Sequence, residues 1–280
     1  MPELPEVETV RRQLLPLLRG QTLSGVEVFH TKSVDHNPYI EDTLLGKTID
    51  NIERVGKLLI FSFQDETDIF LLAHLKMTGQ FFYTQADGTL QGGGHKVAKR
   101  DIEDLPNRHT RVAFYFNDMR LFGYIKLANT EMVAQAKAGF GPEPISEDFD
   151  HSYYAKRLRK RSTPVKAALL DQSFIAGLGN IYVDEALFRA GIRPTKKASL
   201  ISQKKAEELL QHSGEVMQEA IAVGGTTFQH FLDAEGNTGN FTEHLQVFGR
   251  NGLPCLKCGT IIKKTRVAGR GTHYCPTCQK

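Results

Sequence analysis

The first half of the chain is a series of short apolar or alternating runs, each followed by turn-forming residues. Runs of this length, bounded by Gly, Asn or Asp, are typical of β-strands. The predicted strands are Leu23–Phe29, Ile49–Val55, Leu58–Phe63, Ile69–Leu75, Phe81–Tyr83, Val112–Phe116 and Tyr124–Leu127. So many short strands indicate a β-sandwich or barrel. The polar segment Gln85–Arg111, which contains three consecutive glycines, is predicted to be a surface loop.

Helical periodicity marks the start of the chain and its second half. Val7, Val10 and Leu14 share one face of a predicted amphipathic helix that ends near Pro16. The later predicted helices are Ser152–Arg161, one capped by Thr163 with Pro164 as its first residue, one from an Asn180 cap to Phe188, and one from a Ser202 cap to Val223. The segment Thr226–Glu243 has no steady period and is predicted to be a mobile loop.

These patterns predict a multidomain α+β protein. A Gly- and Pro-rich segment at residues 139–145 is the predicted linker between a β-sandwich domain (1–138, including the N-terminal helix) and a helical domain (146–240). The remaining residues, 241–280, contain all four cysteines of the chain and are predicted to form a third, small domain.

Composition places the chain among ordinary soluble globular proteins, with 40% hydrophobic and 24% charged residues. No apolar run is long enough to cross a membrane and no signal peptide is recognisable, so we expect a cytoplasmic protein. The net charge is only +3, but Arg250–Lys280 and His151–Leu170 contain seven and six Lys or Arg and no Asp or Glu. Two basic segments suggest a polyanionic partner such as nucleic acid, although a basic run is also common on a solvated face.

The cysteines have the spacing of a tetrahedral zinc site. Cys255 and Cys258 form one C-x2-C pair, Cys275 and Cys278 form the other, and sixteen residues separate the inner two. Four thiolates fill every position of the metal, which leaves no place for a catalytic water, so the zinc is predicted to be structural. The pairs are predicted to close a β-hairpin that carries Lys263, Lys264, Arg266 and Arg270.

The first residues contain a candidate nucleophile. Methionine is commonly removed before a small second residue, and we expect the mature chain to begin with the secondary amine of Pro2. An α-amine has a pKa of about 8, is partly unprotonated at neutral pH, and can form an iminium with an aldehyde carbon. Glu3 is then a candidate proton carrier beside the amine. A sequence of Pro and Glu at this place is equally compatible with a simple helix start.

A second motif, Gly177-Leu178-Gly179-Asn180, predicts a tight turn followed by a helix. Free N–H groups at a helix N-terminus bind anions, so this turn is a candidate phosphate site. Taken alone, it is also compatible with an ordinary connection between helices.

Three motifs together resemble bacterial formamidopyrimidine-DNA glycosylase. They are the start Met-Pro-Glu-Leu-Pro-Glu-Val-Glu-Thr, the Gly177–Tyr182 turn, and the four-cysteine hairpin with Val267–Thr272, and they occur in the family's order over nearly the whole chain. The resemblance implies an N-terminal β-sandwich, a helix-two-turn-helix domain and a C-terminal zinc-finger hairpin that bind damaged double-stranded DNA. It also implies a base excision repair enzyme that removes 8-oxoguanine and formamidopyrimidines and cleaves the abasic strand by β,δ-elimination. We expect a monomer, because a single chain carries both DNA clamps, and association with the nucleoid through DNA binding.

The resemblance also implies roles for individual residues. Pro2 would attack C1′ of the deoxyribose, and Glu3 would move protons at the sugar ring oxygen. Met77, Arg120 and Phe122 match the residues that fill the gap left by the extruded nucleotide. The matching phosphate contacts, of which Lys57 and Arg270 are counted as catalytic, are Lys57, His74, Asn180 and Arg270, with Tyr182 as a further DNA contact.

Without the resemblance, several of these residues would be read differently. Met77 and Phe122 would be assigned to the core, Arg120 to a solvated surface, Lys57 to a strand end, and His74 to a hydrogen-bonded core position. Two positions depart from the family pattern, since Leu121 and Gln229 stand where basic residues are usual. The expected alternatives are therefore the endonuclease VIII branch, which favours oxidised pyrimidines, and a DNA-binding module without catalysis.

Overall fold

The computed structural model describes residues 2–84, 90–95, 106–107, 110–113, 116–118, 123–226, 231–232 and 241–280. The chain divides into two compact units, residues 1–138 with 223–240 and residues 139–222 with 241–280. This division groups residues 223–240 with the N-terminal unit, whereas the predicted boundary placed them in the helical domain. Compactness alone does not delimit a folding domain, so the predicted domain boundaries stay predictions.

The first unit is built on two antiparallel sheets. The strands of this unit, in chain order, are β1 (Glu27–Val28), β2 (Ile49–Val55), β3 (Leu58–Phe63), β4 (Phe70–His74), β5 (Gly79–Thr84), β6 (Leu90–His95), β7 (Thr110–Ala113), β8 (Phe116–Asp118), β9 (Tyr124–Ala128) and β10 (Phe231–Leu232). One sheet has the order β2-β3-β4-β9 and the other the order β1-β7-β8-β5-β6-β10. Both sheets contribute to one core, in which the rings of Phe61 and Phe81 lie 5.8 Å apart. The predicted β-sandwich is confirmed.

Helix α1 (Leu4–Leu18) packs its apolar face into that core. Val7, Val10 and Leu14, the residues that predicted the helix, are almost fully buried. The helix does not end near Pro16 as expected but continues to Leu18. A proline this close to the end removes only one of the last helical hydrogen bonds, so a further half turn is tolerated. Two helices of this unit, α2 (Ile40–Leu44) and α3 (Thr130–Ala138), had no sequence prediction.

The prediction of one continuous surface loop over Gln85–Arg111 is wrong, because strand β6 lies within this range and strand β7 begins near its end. Strand β6 includes Gly92–Gly94, and its backbone pairs with β5 in the register Phe82 to Gly92 and Gln80 to Gly94. A ladder of backbone hydrogen bonds forms without side chains, so three glycines did not prevent a strand. Strand β7 begins at Thr110, and the single strand predicted over Val112–Phe116 is in fact two, β7 and β8, which pair with each other.

The second unit contains the helices α4 (His151–Arg159), α5 (Val165–Leu169), α6 (Asn180–Arg189) and α7 (Gln203–Ala222). The Ser202 Oγ accepts a hydrogen bond from the N–H of Lys205, in agreement with its predicted capping role. Two other caps are shifted by one residue, because Pro164 and Gly179 occupy the cap positions of α5 and α6. Asn180 is therefore the first residue of its helix, and its side chain is available for contacts elsewhere.

The C-terminal strands β11 (Lys263–Val267) and β12 (Arg270–Tyr274) form the predicted hairpin. Val267 pairs with Arg270 across a two-residue turn of Ala268 and Gly269, both with positive φ. Positive φ at both central positions is the geometry that matches the twist of a tight hairpin. Most of the predicted loop Thr226–Glu243 lies outside the described residues. Within the described parts of the chain, no helix is long and apolar enough to cross a membrane.

Candidate active site and metal centre

The start of helix α1 holds the candidate nucleophile and proton carrier in a fixed geometry. Pro2 is buried, and Glu3 is extended at the cap position with only 2% of its surface exposed. The N–H of Glu3 donates to Oε2 of Glu6 over 2.8 Å, which fixes the backbone beside the amine. The positive end of the helix dipole favours carboxylates at this place. The predicted pair is therefore adjacent, buried and held by a third residue that sequence reasoning assigned no such role.

A buried charge cluster supports the turn that carries Lys57. The Glu8 carboxylate accepts hydrogen bonds from Arg11, Arg12 and Arg54 at 2.7–3.0 Å. Burial raises the pKa of Glu8, but these hydrogen bonds outweigh it and lower the pKa to about 2. Arg54 also donates to the carbonyl of Gly56, directly before Lys57. Lys57 is only 6% exposed, so it is not the solvated strand-end lysine that the sequence alone would suggest.

His74 lies at the end of strand β4 with a defined tautomer. Its Nδ1 accepts the N–H of Lys76 over 2.9 Å, so the proton of the neutral ring is on Nε2. Burial lowers the pKa of His74 to about 3, and the nearby Lys76 and Lys57 ammonium groups act in the same direction. The structure thus brings Lys57 close enough to His74 for the two to interact electrostatically. A neutral imidazole in this place can donate one hydrogen bond to an anion without carrying charge.

We expect His74 to make the folded protein sensitive to acid. The pKa of His74 is depressed on folding, so its contribution to stability is complete above the unfolded pKa of about 6.5 and is lost as the pH falls towards about 3. Between pH 6 and pH 4, the free energy of unfolding of the wild type should fall by about 2 kcal/mol more than that of His74→Gln. Glutamine can accept the same N–H but does not titrate. Urea unfolding at several pH values measures the difference, and parallel pH profiles would contradict a buried neutral His74.

Met77 lies on the turn between β4 and β5, and 36% of its surface is exposed. The sequence alone favoured a core position for this residue, whereas the structure leaves it partly exposed. Arg120 and Phe122, the other two predicted gap-filling residues, lie outside the described residues. The same holds for Leu121 and Gln229, where the chain departs from the family pattern.

In the second unit, Asn180 is bound to the C-terminal hairpin. Its Nδ2 donates to the carbonyl of Gly271 over 2.9 Å, and the Nζ of Lys166 donates to the same carbonyl over 3.2 Å. Lys166 also pairs with Asp184 at 2.7 Å, and both side chains are fully buried. Asp184 accepts the N–H of His273 with its other oxygen. The hairpin strand that begins with Arg270 is therefore held against α6 by a buried polar network.

Arg270 itself is exposed beside the hairpin turn, as a residue that contacts an external anion must be. Tyr182 differs, because it is fully buried and its ring packs 5.8 Å from that of Phe241. The structure therefore brings Asn180 and the Arg270 strand together but places Tyr182 in the core. The DNA-binding roles of all three residues stay predictions.

The four cysteines converge at the base of the hairpin, with their sulfur atoms all within 4.8 Å of one another. The Sγ of Cys255 lies 3.9 Å from that of Cys278, and the Sγ of Cys258 lies 3.5 Å from that of Cys275. Tetrahedral zinc with Zn–S bonds of about 2.3 Å requires sulfur separations of about 3.8 Å. The arrangement fits one zinc ion coordinated only by thiolates, in agreement with the prediction of a structural metal.

Removal of the metal should unfold the hairpin. We expect one zinc per chain by elemental analysis, and its loss in Cys258→Ser or after treatment with a strong chelator. The amide signals of β11 and β12 should then lose their dispersion in NMR spectra, while those of the sandwich strands persist. Lys257→Gln, which changes an exposed residue beside the ligands but no ligand, is the control. A metal-free chain with an intact hairpin would contradict this account.

Sequence reasoning missed the supporting residues rather than the reactive ones. Two buried pairs, Glu8 with Arg54 and Lys166 with Asp184, join residues that are 46 and 18 positions apart in the chain. Lys166 stands within the apolar pattern of Val165, Ala168 and Leu169, and a charge there was the available signal. Lysine is rarely fully buried without a partner, so it could have been recognised as half of an ion pair.

Three family models match the chain in the order of its parts. They are the formamidopyrimidine-DNA glycosylase N-terminal domain at residues 1–125, the formamidopyrimidine-DNA glycosylase H2TH domain at residues 140–231, and a zinc finger found in FPG and IleRS at residues 252–280. Curated relatives named formamidopyrimidine-DNA glycosylase are similar over the full length. The protein of Geobacillus kaustophilus is 40% identical with complete coverage of both chains, and that of Bacillus cereus is 39% identical over all of this chain and 99% of the relative.

Solved structures show the same fold. The Lactococcus lactis Fpg protein bound to a DNA with an abasic site matches with a TM-score of 0.85 at 37% identity, and MutM bound to a DNA with carbocyclic 8-oxo-G matches with 0.84 at 35% identity. Both matches cover the whole of each chain. The chain therefore belongs to the formamidopyrimidine-DNA glycosylase family, with its N-terminal domain, H2TH domain and C-terminal zinc finger.

Proposed function

We propose that this chain is a bifunctional DNA glycosylase and abasic-site lyase of base excision repair that removes oxidised purines. The observation that carries the proposal is the buried Pro2–Glu3 pair at the start of α1, held by Glu6, in a chain of this family. The relatives' names and the damaged DNA in the related complexes support a glycosylase that acts on oxidised bases. The proline chemistry and the strand cleavage are the finer parts of the proposal.

In the proposed reaction, the Pro2 amine attacks C1′ of the extruded nucleotide. The bond between C1′ and the base breaks and the base leaves with the bonding electron pair. The Pro2 nitrogen loses its proton as the new bond forms, and the base takes up one proton. The C1′–O4′ bond then opens as Glu3 delivers a proton to O4′, which leaves a cationic iminium between Pro2 and C1′. The burial of a carboxyl group one residue from the amine supports this role for Glu3.

The iminium makes the second half of the reaction possible. It acidifies the hydrogen on C2′, whose loss is followed by departure of the 3′ phosphate and, after a second elimination, of the 5′ phosphate. Each unit offers polar groups that suit the flanking phosphates, namely Lys57 and neutral His74 in the first unit and Asn180 and Arg270 in the second. Extrusion of a base requires a filler for the gap, and the exposed Met77 is a suitable wedge. A monomer bound to damaged duplex DNA is the proposed functional form.

A substrate panel tests the proposal. Duplexes that contain 8-oxoguanine opposite cytosine, a formamidopyrimidine, thymine glycol or a preformed abasic site are incubated with excess zinc-loaded enzyme, and base release and strand cleavage are scored separately. We expect release of the two purine lesions and cleavage of the abasic duplex. A clear preference for thymine glycol would support the endonuclease VIII branch instead. Salt-dependent binding with no base release and no cleavage would identify a noncatalytic DNA-binding module.

A further inference from the structure

Glu6 connects two parts of the first unit that are far apart in the chain. Its Oε2 accepts the N–H of Glu3, and its Oε1 accepts the N–H of Thr226, both over 2.8 Å. The two donors are buried, and Glu6 itself is only 2% exposed. A hydrogen bond between the third helical residue and the cap backbone is a common way to begin a helix, and it accounts for the bond that Oε2 accepts from Glu3. It does not explain the bond to Thr226, which is 220 residues away.

The turn before Thr226 is shaped around this carboxylate. Gly224 and Gly225 have φ values of 78° and 83°, a conformation that favours glycine. A Cβ on Gly225 would lie 3.0 Å from Oε1 and 3.1 Å from Cγ of Glu6, so a larger residue here would force the Glu6 side chain or the turn to shift by a few tenths of an ångström. With both oxygens bonded and one side covered by the turn, the Glu6 carboxylate has a single position.

We propose that Glu6 is a positioning residue for the reaction. Its carboxylate is anchored by the Gly224–Thr226 turn and holds the backbone of Glu3 and Pro2 in the reactive position. This inference rests on the proposed function and adds to it a residue that acts through the backbone of Glu3. Base release needs the Glu3 carboxyl group at O4′, so it depends on the backbone position that Glu6 fixes. Cleavage of a preformed abasic site depends less on the position of Glu3, because the open-chain form of that sugar already presents an aldehyde to the amine.

Glu6→Gln removes one of the two acceptors and retains the volume of the side chain. An amide can accept only with its oxygen, and its NH2 group then faces one of the two N–H donors. We expect single-turnover base release from an 8-oxoguanine duplex, at saturating enzyme, to fall about 10- to 100-fold, because a buried unsatisfied donor is costly. Cleavage of an abasic duplex should stay within about threefold of wild type, and DNA affinity should be unchanged.

Gly225→Ala tests the anchor from the other side without any change to Glu6. The new methyl group would push against Oε1, so base release should fall in the same direction. Gly20→Ala is the matched control, since Gly20 has a φ of 80° in the same unit but open space around its Cβ position. It should reproduce the backbone strain and leave both activities unchanged. In the double variant Glu6→Ala/Gly225→Ala, the second change should add little to the first.

The outcomes separate this inference from the proposed function. If wild type releases 8-oxoguanine but the Glu6 and Gly225 variants lose base release and abasic cleavage equally, Glu6 is only part of the scaffold and the inference is wrong. Unchanged base release in both variants also overturns it. If Glu6→Gln does not fold, the rates of base release in Gly225→Ala and Gly20→Ala are compared, and equal rates overturn the inference. A wild-type protein inactive on every duplex would refute the proposed function itself.

Discussion

Glu3→Gln is expected to lower the rate of base release from an 8-oxoguanine duplex by about 10²- to 10⁴-fold, the range that a positioned general acid supplies. The amide has almost the same shape as the carboxyl group and can stay at the buried cap position of α1, but it cannot deliver a proton to O4′. The Pro2 amine is unaltered, so cleavage of a preformed abasic duplex should fall by less than about tenfold. Single-turnover assays on the two duplexes measure the two steps separately.

Glu53→Gln is the control for this variant. Glu53 belongs to the same unit and pairs with Lys137 on the surface, with about half of its side chain exposed. The same loss of one negative charge should there leave both rates unchanged. An equal fall of both rates in Glu3→Gln would mean that the substitution has displaced the amine, and unchanged base release would remove Glu3 from the mechanism.

Lys166→Met is expected to lower the free energy of unfolding of the second unit by about 3–5 kcal/mol. The substitution leaves the Asp184 carboxylate fully buried with no opposite charge, although its bond to the N–H of His273 can persist. It also removes one of the two donors to the carbonyl of Gly271, next to Arg270. Denaturant unfolding, followed by hydrogen exchange of the helical amides, measures the loss.

Two further variants establish that the effect belongs to the buried pair. Lys166→Met combined with Asp184→Asn removes both charges and retains an acceptor for His273, so it should recover more than half of the lost stability. Lys205→Met breaks the exposed pair with Glu208 and should cost less than about 1 kcal/mol. A cost for Lys166→Met no larger than that for Lys205→Met would show that the buried pair contributes nothing specific.

Much of the fold could be predicted from local pattern. The apolar face of α1, the runs of β2, β3, β4 and β9, and the cysteine spacing each follow from residues close together in the chain. Strand β6 could not be predicted, because its glycines carry no strand signal and it forms by pairing with β5 and β10. The shifts of the α5 and α6 caps by one residue lie within the usual uncertainty of helix ends.

The candidate site also has one part that could be predicted from the sequence and one part that could not. Pro2, Glu3 and the four cysteines are adjacent or regularly spaced, so their chemistry can be recognised in the sequence. The contacts that hold them cannot, because each joins residues that only the fold brings together. Glu6 with Thr226 is one example, and Lys166 with Asp184 and Gly271 is another. Tyr182 was singled out by its motif, but the motif could not reveal that its ring is buried against Phe241.

Borohydride trapping shows whether the Pro2 nitrogen forms a covalent bond with the sugar. The purified, zinc-loaded protein is mixed with a duplex that contains 8-oxoguanine opposite cytosine, reduced with borohydride, and analysed by mass spectrometry of its N-terminal peptide. We expect a covalent adduct between C1′ of the sugar and the nitrogen of Pro2, in a chain from which Met1 has been removed. An adduct on a lysine, or no adduct with either this duplex or an abasic duplex from a protein that lacks Met1 and binds both, would contradict it.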